Sequence, residues 1–183
     1  MEFVSKNPKI IILSGKARAG KDTTASYIKK YYEKNGKSII NLQYSSYIKD
    51  YAKKITDWDG SDETKPRQLL IDLGTNLIRA KIDKYFFVNR MIEDIKVLSY
   101  YFDVITISDA RLEEELLMPK DNFDNVKLIK IERPNFENGL TSDQKKSITE
   151  IGLDNFNDYD YVINNDSDLE NLEKVVNRML EEL

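Results

Sequence analysis

The chain has 183 residues, of which 40% are hydrophobic and 33% are charged, and this length and balance predict one soluble globular domain. It contains no cysteine and no histidine, which excludes disulfides, zinc sites built from thiolates or imidazoles, and Ser-His-Asp hydrolysis. A net charge of −4 argues against a general nucleic-acid binder, no apolar run approaches the ~20 residues that cross a bilayer, and the first residues lack a signal-peptide pattern. We therefore expect a cytoplasmic protein whose chemistry relies on Lys, Arg, carboxylates, hydroxyls and Mg²⁺.

The first predicted elements are a buried strand at residues 8–14 and a helix at residues 21–35, joined by a glycine-rich loop from Gly15 to Thr23. This strand–loop–helix order is typical of a phosphate-binding P-loop. The backbone N–H groups of such a loop, together with the positive end of the helix, surround a phosphate. A chance glycine-rich turn is the alternative interpretation.

The residues around the second glycine of this loop determine its predicted chemistry. Lys21 is expected to reach the β- and γ-phosphates of a nucleotide as a point charge. The usual P-loop ends Gly-Lys-Ser/Thr with the hydroxyl on Mg²⁺, whereas here Asp22 follows the lysine and the hydroxyl comes at Thr23. The predicted nucleotide-binding residues of the loop are Gly15, Ala17, Ala19, Gly20, Lys21, Asp22, Thr23 and Thr24, and Asp22 and Thr23 are also predicted to hold Mg²⁺.

Strands and helices alternate along the rest of the chain. Further strands are predicted at residues 38–44, 103–108, 126–132 and 161–164, and further helices at 46–55, 66–82, 85–101, 111–117 and from Leu169 onward, after a capping box from Ser167 to Glu170. This alternation implies an α/β fold in which helices cover a parallel sheet. Ligands of such sheets bind beyond the carboxyl ends of the strands, so the residues that follow each strand, including Tyr44, are candidates for the site.

Asp109 and Arg111 follow the predicted strand at residues 103–108. A carboxylate at this position can hold Mg²⁺ or its water shell, and an arginine two residues later can grip a phosphate with its forked donors. The alternative is local, with Asp109 capping the next helix and Arg111 pairing with Glu114 or Glu115 on that helix.

The predicted helix at residues 66–82 contains an interior glycine, Gly74, which typically costs about 1 kcal/mol relative to alanine. Close approach of a ligand, close approach of another helix, or a break between two short helices would explain it. Arg67 and Arg79 are candidates for binding an acceptor phosphate, and a solvated helix face is the alternative for each.

Residues 133–150 are polar and lack an apolar period, although they lie between two predicted strands. A polar excursion of this length is often a functional lid. A phosphoryl-transfer enzyme needs such a cover, because water would otherwise hydrolyse its donor. A surface loop with scattered charges is the alternative.

Taken together, these segments resemble the bacteriophage-type deoxynucleoside monophosphate kinases over nearly the whole chain. The matching segments are Leu13 to Ala25, Arg67-Gln68-Leu69-Leu70, Leu73-Gly74-Thr75, Asp109-Ala110-Arg111 with Glu114, Glu132-Arg133-Pro134, Ile148 to Leu153 and Asn164 to Leu169. The chain is shorter than the best-known members between residues 50 and 66, and Ser147 stands where relatives often carry histidine. The resemblance therefore leaves the acceptor open.

The resemblance implies a P-loop NTPase three-layer sandwich of the nucleoside monophosphate kinase type. It also implies that Lys49 and Arg67 line the monophosphate pocket, that Arg133 lies at the base of the lid, and that Asn164 or Asn165 borders the adenine of ATP. The expected arrangement is a single domain at residues 1–183, with an acceptor-binding helical insert at about 45–101 and a lid at about 133–150.

We therefore expect transfer of the γ-phosphoryl group of ATP·Mg²⁺ to a (deoxy)nucleoside 5′-monophosphate. The predicted catalytic residues are Lys21, Asp109, Arg111 and Arg133, the predicted acceptor-binding residues are Tyr44, Lys49, Arg67, Gly74, Arg79 and Arg111, and Asp109 is a further predicted Mg²⁺ ligand. The alternatives are a kinase for another small acceptor, such as dephospho-coenzyme A or phosphomevalonate, and a non-catalytic ATP-binding module. The expected partners are small nucleotides, with no nucleic acid and no membrane, and the sequence leaves open whether the chain forms a homodimer.

Overall fold

The computed structural model describes residues 3–134, 136 and 139–183. The strands are β1 (Lys9–Ser14), β2 (Ile39–Leu42), β3 (Val104–Ala110), β4 (Val126–Glu132) and β5 (Tyr161–Asn164). The helices are α1 (Lys21–Lys34), α2 (Tyr44–Ile55), α3 (Arg67–Ile71), a π-helix (Asp72–Ile82) that continues α3, α4 (Phe86–Leu98), α5 (Glu113–Asn122), α6 (Ser142–Lys145), α7 (Ile148–Ile151) and α8 (Leu169–Glu182). Within the described residues, no helix is long and apolar enough to cross a membrane.

The five strands form one parallel sheet in the order β2-β3-β1-β4-β5. Because β1 is the central strand, the loop that follows it emerges in the middle of the carboxyl edge of the sheet. The predicted parallel α/β sheet is confirmed, and its central strand is the one that leads into the glycine-rich loop.

Successive side chains of β1 point to opposite faces of the sheet, and each face carries its own core. Ile10 and Ile12 belong to the core that α4 and α5 cover, whereas Ile11 and Leu13 belong to the core that α1 and α8 cover. All four are buried. An almost continuous apolar run is therefore what a strand covered on both faces requires.

Gly74 lies inside the π-helix, where α2 passes close by. A Cβ atom added at Gly74 would lie 2.8 Å from Cδ1 of Ile48 on α2. Close approach of another helix therefore explains the glycine, and this was one of the three reasons expected from the sequence.

The start of α8 differs from its prediction. The N-cap is Asp168, whose carboxylate accepts a hydrogen bond of 2.8 Å from the backbone N–H of Asn171. The predicted capping box at Ser167 is therefore wrong by one residue. Leu169, the first residue of this helix, is 65% exposed, so the buried face of the helix begins at Leu172.

The polar segment between β4 and β5 contains two short helices, α6 and α7, which the sequence did not predict. Residues 135, 137 and 138 of the predicted lid lie outside the described residues. Gly152, directly after α7, lies against the backbone that follows β3, because an added Cβ there would be 3.0 Å from the carbonyl oxygen of Arg111. The end of the segment is thus packed on the edge of the sheet.

Candidate active site

A cleft of about 880 Å³ lies at the carboxyl ends of the strands. Its walls come from the P-loop, from α2, from the end of β3 and from the start of α8. The predicted site residues that line it are Ala17, Gly20, Lys21, Asp22, Thr23, Tyr44, Lys49, Arg79, Asp109, Arg111, Arg133 and Asn165. The structure therefore brings most of the predicted donor and acceptor residues to one cavity.

Six predicted site residues do not line this cleft. Gly15 and Ala19 line a smaller cavity of about 370 Å³ beside the P-loop. Thr24 is fully buried, and its hydroxyl has no hydrogen-bond partner among the described residues. Arg67 and Asn164 are exposed outside the cleft, and Gly74 is buried against Ile48.

The shape of the P-loop depends on two glycines with positive φ. Gly15 has φ 146° and Gly20 has φ 108°, both in a range that favours glycine. A Cβ at Gly15 would collide with the carbonyl oxygen of Ile131 on β4, and one at Gly20 would lie 2.6 Å from Nδ2 of Asn165. The backbone of β4 and the side chain of Asn165 therefore pack closely against the loop and leave no room for a Cβ atom at either glycine.

Lys21 begins α1 and is only 8% exposed. Its Nζ donates to the carbonyl oxygens of Gly15 and Lys16, each at 2.8 Å. The pKa of Lys21 is lowered to about 8, first by burial and then by repulsion from Arg111, whereas nearby carboxylates, Glu150 first, oppose the shift. The ammonium group is thus a poorly solvated charge that an anion in the loop would stabilise.

Asp22 forms a polar cluster with side chains at the ends of β2 and β3. Its Oδ1 accepts hydrogen bonds from Nε2 of Gln43 (3.1 Å) and Oγ of Ser108 (3.2 Å). Within the described residues, no group of three or more acidic side chains could enclose a metal ion. One carboxylate and nearby hydroxyl oxygens nonetheless fit Mg²⁺, which prefers oxygen ligands and keeps several waters.

Asp109 binds the first turn of α2. Its two carboxylate oxygens accept hydrogen bonds from the backbone N–H groups of Tyr44 (2.8 Å) and Ser45 (2.9 Å). The alternative that Asp109 caps the helix following it is wrong, because the helix that it caps is α2. This contact also explains why α2 begins two residues earlier than predicted and β2 ends at Leu42.

Arg111 is held by the segment that ends in α7. Its Nη1 donates to Oε1 of Glu150 (2.6 Å) and to the carbonyl oxygen of Thr149 (3.2 Å). Oε2 of Glu150 accepts from the backbone N–H of Ala17 in the P-loop (3.1 Å). The alternative that the guanidinium pairs with Glu114 or Glu115 is wrong, and Glu150, which carried no predicted role, joins the arginine to the phosphate-binding loop.

Arg79 and Glu115 form a buried ion pair in the wall of the cleft. Nη2 of Arg79 lies 2.8 Å from Oε1 of Glu115, and the guanidinium stacks 4.8 Å from the ring centroid of Phe87. Burial raises the pKa of Glu115 to about 7, although the charge of Arg79 opposes the shift. Glu115 was not predicted as a site residue, because Arg79 lies 36 residues away in the sequence and only the folded structure brings the two side chains together.

Arg133 and Asn165 border the cleft on the side of β4 and β5. The guanidinium of Arg133 lies 3.7 Å from the ring centroid of Phe136, and its Nη1 donates to the carbonyl oxygen of Arg18 (3.4 Å). Nδ2 of Asn165 donates to the carbonyl oxygen of Ala19 (2.8 Å). Of the two asparagines predicted near the donor base, the structure places Asn165 in the cleft.

A family model described as deoxynucleotide monophosphate kinase matches residues 29–176. This range contains Arg79, Asp109, Arg111 and Glu115, whereas the P-loop precedes it. No curated protein matches the chain in sequence.

Solved structures with the same fold include several kinases. They include APS kinase CysC of Mycobacterium tuberculosis in complex with AMPPNP and APS (12% identity, TM-score 0.58, 95% of this chain and 98% of that chain). Dephospho-CoA kinase from Campylobacter jejuni (14%, TM-score 0.54, 96% and 97%) and shikimate kinase from Aquifex aeolicus (17%, TM-score 0.53, 94% and 96%) are also similar. At these identities the likeness establishes the fold, which is that of the P-loop kinases.

The packing of the P-loop on β4 predicts a difference between two glycine substitutions. Gly36, after α1, also has a positive φ of 69°, but an added Cβ there meets nothing within 4 Å. Gly36→Ala should therefore lower the free energy of unfolding by about 1 kcal/mol. Gly15→Ala adds a collision with backbone and should cost roughly 3 kcal/mol or more, measured by urea denaturation. Equal losses for the two variants would contradict this packing.

Proposed function

The chain belongs to the deoxynucleotide monophosphate kinase family, and from this premise we propose how its residues transfer a phosphoryl group from ATP to a (deoxy)nucleoside 5′-monophosphate. The observation that carries the proposal is the charge of the cleft. Lys21 and the P-loop lie on one wall, and Arg79 and Arg111 line the same cavity. A cleft with this arrangement suits two ligands that each bring phosphate groups.

The triphosphate of ATP lies along the P-loop in this proposal. Backbone N–H groups of the loop and the N-terminus of α1 surround the phosphates, and Lys21 leaves its carbonyl partners to bind the β- and γ-phosphates. Arg133 and Asn165 border the adenine. Mg²⁺, when bound, neutralises charge on these phosphates, and Asp22 and Thr23 are the residues that would hold it.

Asp109 has a positioning role in this proposal. Both of its carboxylate oxygens are occupied by the N-terminus of α2, so its contribution is to fix that helix beside the P-loop. Lys49 on α2 lines the cleft and would face the acceptor. The contact of Asp109 with metal-bound water that the sequence suggested is compatible with this role and stays a prediction.

The acceptor monophosphate lies between α2, the π-helix and the end of β3. Arg79 and Arg111 bind its phosphate, because guanidinium groups match phosphate oxygens with paired donors. Tyr44 and Lys49 complete this wall, and residues 45–101 form the acceptor-binding part of the domain. Arg67 lies outside the cleft, and its contact with the acceptor stays a prediction.

Transfer needs no side-chain base, because the acceptor is already an anionic phosphate oxygen. This oxygen forms a bond to the γ-phosphorus while the bond from that phosphorus to the β–γ bridging oxygen breaks, and ADP leaves. Lys21 and Arg111 stabilise charge on the transferred group. The segment at residues 133–150 excludes water from this position, and its Glu150 already contacts the P-loop.

A panel of acceptors tests the proposed reaction. ADP release from ATP would be followed with the four deoxynucleoside monophosphates, their ribose counterparts, dephospho-coenzyme A, phosphomevalonate and shikimate. We expect ADP and a nucleoside diphosphate with at least one nucleoside monophosphate. ADP release with the other acceptors alone, or ATP binding without release by any acceptor, would contradict the proposal.

Substitution of Lys21 tests the mechanism. Lys21→Ala should lower kcat by on the order of 10²-fold or more, because the transition state loses electrostatic stabilisation by a buried charge. The measurement is steady-state turnover of the purified variant with the best acceptor of the panel. Turnover close to that of the unmodified enzyme would reject the assigned role of the P-loop lysine.

A further inference from the structure

We propose that Glu115 is a positioning residue that holds Arg79 ready for the acceptor phosphate. This inference rests on the proposed function. It assigns to a buried carboxylate the role of controlling the affinity for the acceptor without contacting the acceptor. The residue lies at the junction of three elements that build the acceptor side of the cleft: α2, the π-helix and the turn between β3 and α5.

Each oxygen of the Glu115 carboxylate has a defined partner. Oε1 lies 2.8 Å from Nη2 of Arg79, and Oε2 accepts from the backbone N–H groups of Arg111 (2.7 Å) and Leu112 (3.3 Å). The backbone carbonyl of Glu115 accepts from the hydroxyl of Tyr44 on α2 (2.9 Å). One residue therefore bonds to all three elements of the acceptor wall.

Glu115 is itself inaccessible, whereas its partner reaches the cleft. The side chain of Glu115 is 2% exposed and that of Arg79 is 17% exposed. Among the residues that the structure describes, Nη1 of Arg79 makes only a long contact of 3.5 Å with the carbonyl oxygen of Gly74, so the fork keeps donors that can turn to a ligand. Binding by an arginine already fixed in place costs less conformational entropy than binding by a mobile one.

The local structure around Arg79 explains why its pairing with Glu115 matters. Arg79 belongs to a π-helix, a backbone form that is rare beyond a single turn and frequent at functional sites, and its guanidinium lies over the ring of Phe87. The stacking fixes the plane of the guanidinium, and the pairing with Glu115 fixes its direction within that plane. Both contacts would be needed to present the same donors to each incoming phosphate.

If Glu115 only stabilised the fold, its substitution would have a different effect. Glu115 is the third residue of α5, and its contact with the N–H of Leu112 is the half of a capping box that stabilises a helix start. Loss of that contact alone would lower the stability of the protein and leave the ratio of the two substrate KM values unchanged. A positioning role raises the KM of the acceptor selectively.

The experiment compares Glu115→Gln with Glu113→Gln, a control two residues earlier on the exposed face of the same helix. Glu115→Gln should raise the acceptor KM about tenfold or more, because the amide has no charge to pair with the guanidinium and has one acceptor oxygen for two sets of donors. The ATP KM should stay within about twofold, and Glu113→Gln should leave both constants unchanged. A folded Glu115→Gln variant with an unaltered acceptor KM would overturn the proposal. Failure of the proposed function would instead appear as no transfer to nucleoside monophosphates by the unmodified enzyme.

A double-mutant cycle with Arg79→Lys tests whether Glu115 acts through that arginine. Lysine keeps the charge and lacks the fork, so Arg79→Lys alone should raise the acceptor KM. Adding Glu115→Gln to Arg79→Lys should then raise it little further. Full additivity of the two effects would mean that Glu115 does not act through Arg79.

If Glu115→Gln fails to fold, the unmodified enzyme supplies the test through its pH dependence. The charged or titratable groups that face Glu115 are Arg79, Asp109, Arg111 and Tyr44. Since the pKa of Glu115 is about 7, protonation below that pH should release Arg79 and raise the acceptor KM. The same measurement on Arg79→Lys corrects for titration of the acceptor phosphate, whose own pKa is about 6. Identical profiles in the two enzymes would overturn the proposal.

Discussion

Positive charge held in a confined cleft at the carboxyl edge of the sheet is the constraint on which the structure depends. Lys21, Arg79 and Arg111 all line one cavity, although like charges repel and burial penalises each of them. The lowered pKa of Lys21 is a direct consequence of this confinement. Phosphate groups of substrates would neutralise this confined positive charge. The unfavourable free energy of holding the cations together would therefore favour substrate binding.

Carboxylates hold the cationic side chains and the neighbouring elements of the cleft in place. Glu115 pairs with Arg79, and Glu150 pairs with Arg111 and also accepts from the P-loop backbone. Asp109 uses its charge differently, because it holds the N-terminus of α2. Each acidic group therefore fixes the element that carries or faces a cation, and the net negative charge of the chain is compatible with a cationic cleft.

The sequence predicted the parts of the fold that are determined by residues close together in the chain. The P-loop could be recognised because the glycines, the lysine and the following helix are adjacent in the chain, and the apolar run of β1 indicates burial on both faces. The partners of the two arginines could not be predicted from the sequence. Glu150 is distant in sequence from Arg111, and Glu115 is distant from Arg79, so only the packed fold brings each pair together. The cap of α8 at Asp168 rather than Ser167 illustrates a choice between adjacent polar residues that sequence alone does not decide.

The most direct test of the account is a crystal structure with a bisubstrate analogue, in which a chain of phosphates joins adenosine to a deoxynucleoside. We expect the phosphates at the adenosine end to lie against the backbone N–H groups between Gly15 and Thr23, and those at the other end to lie against Arg79 and Arg111. A phosphate chain bound outside the P-loop, or an acceptor end turned toward β5, would contradict the account.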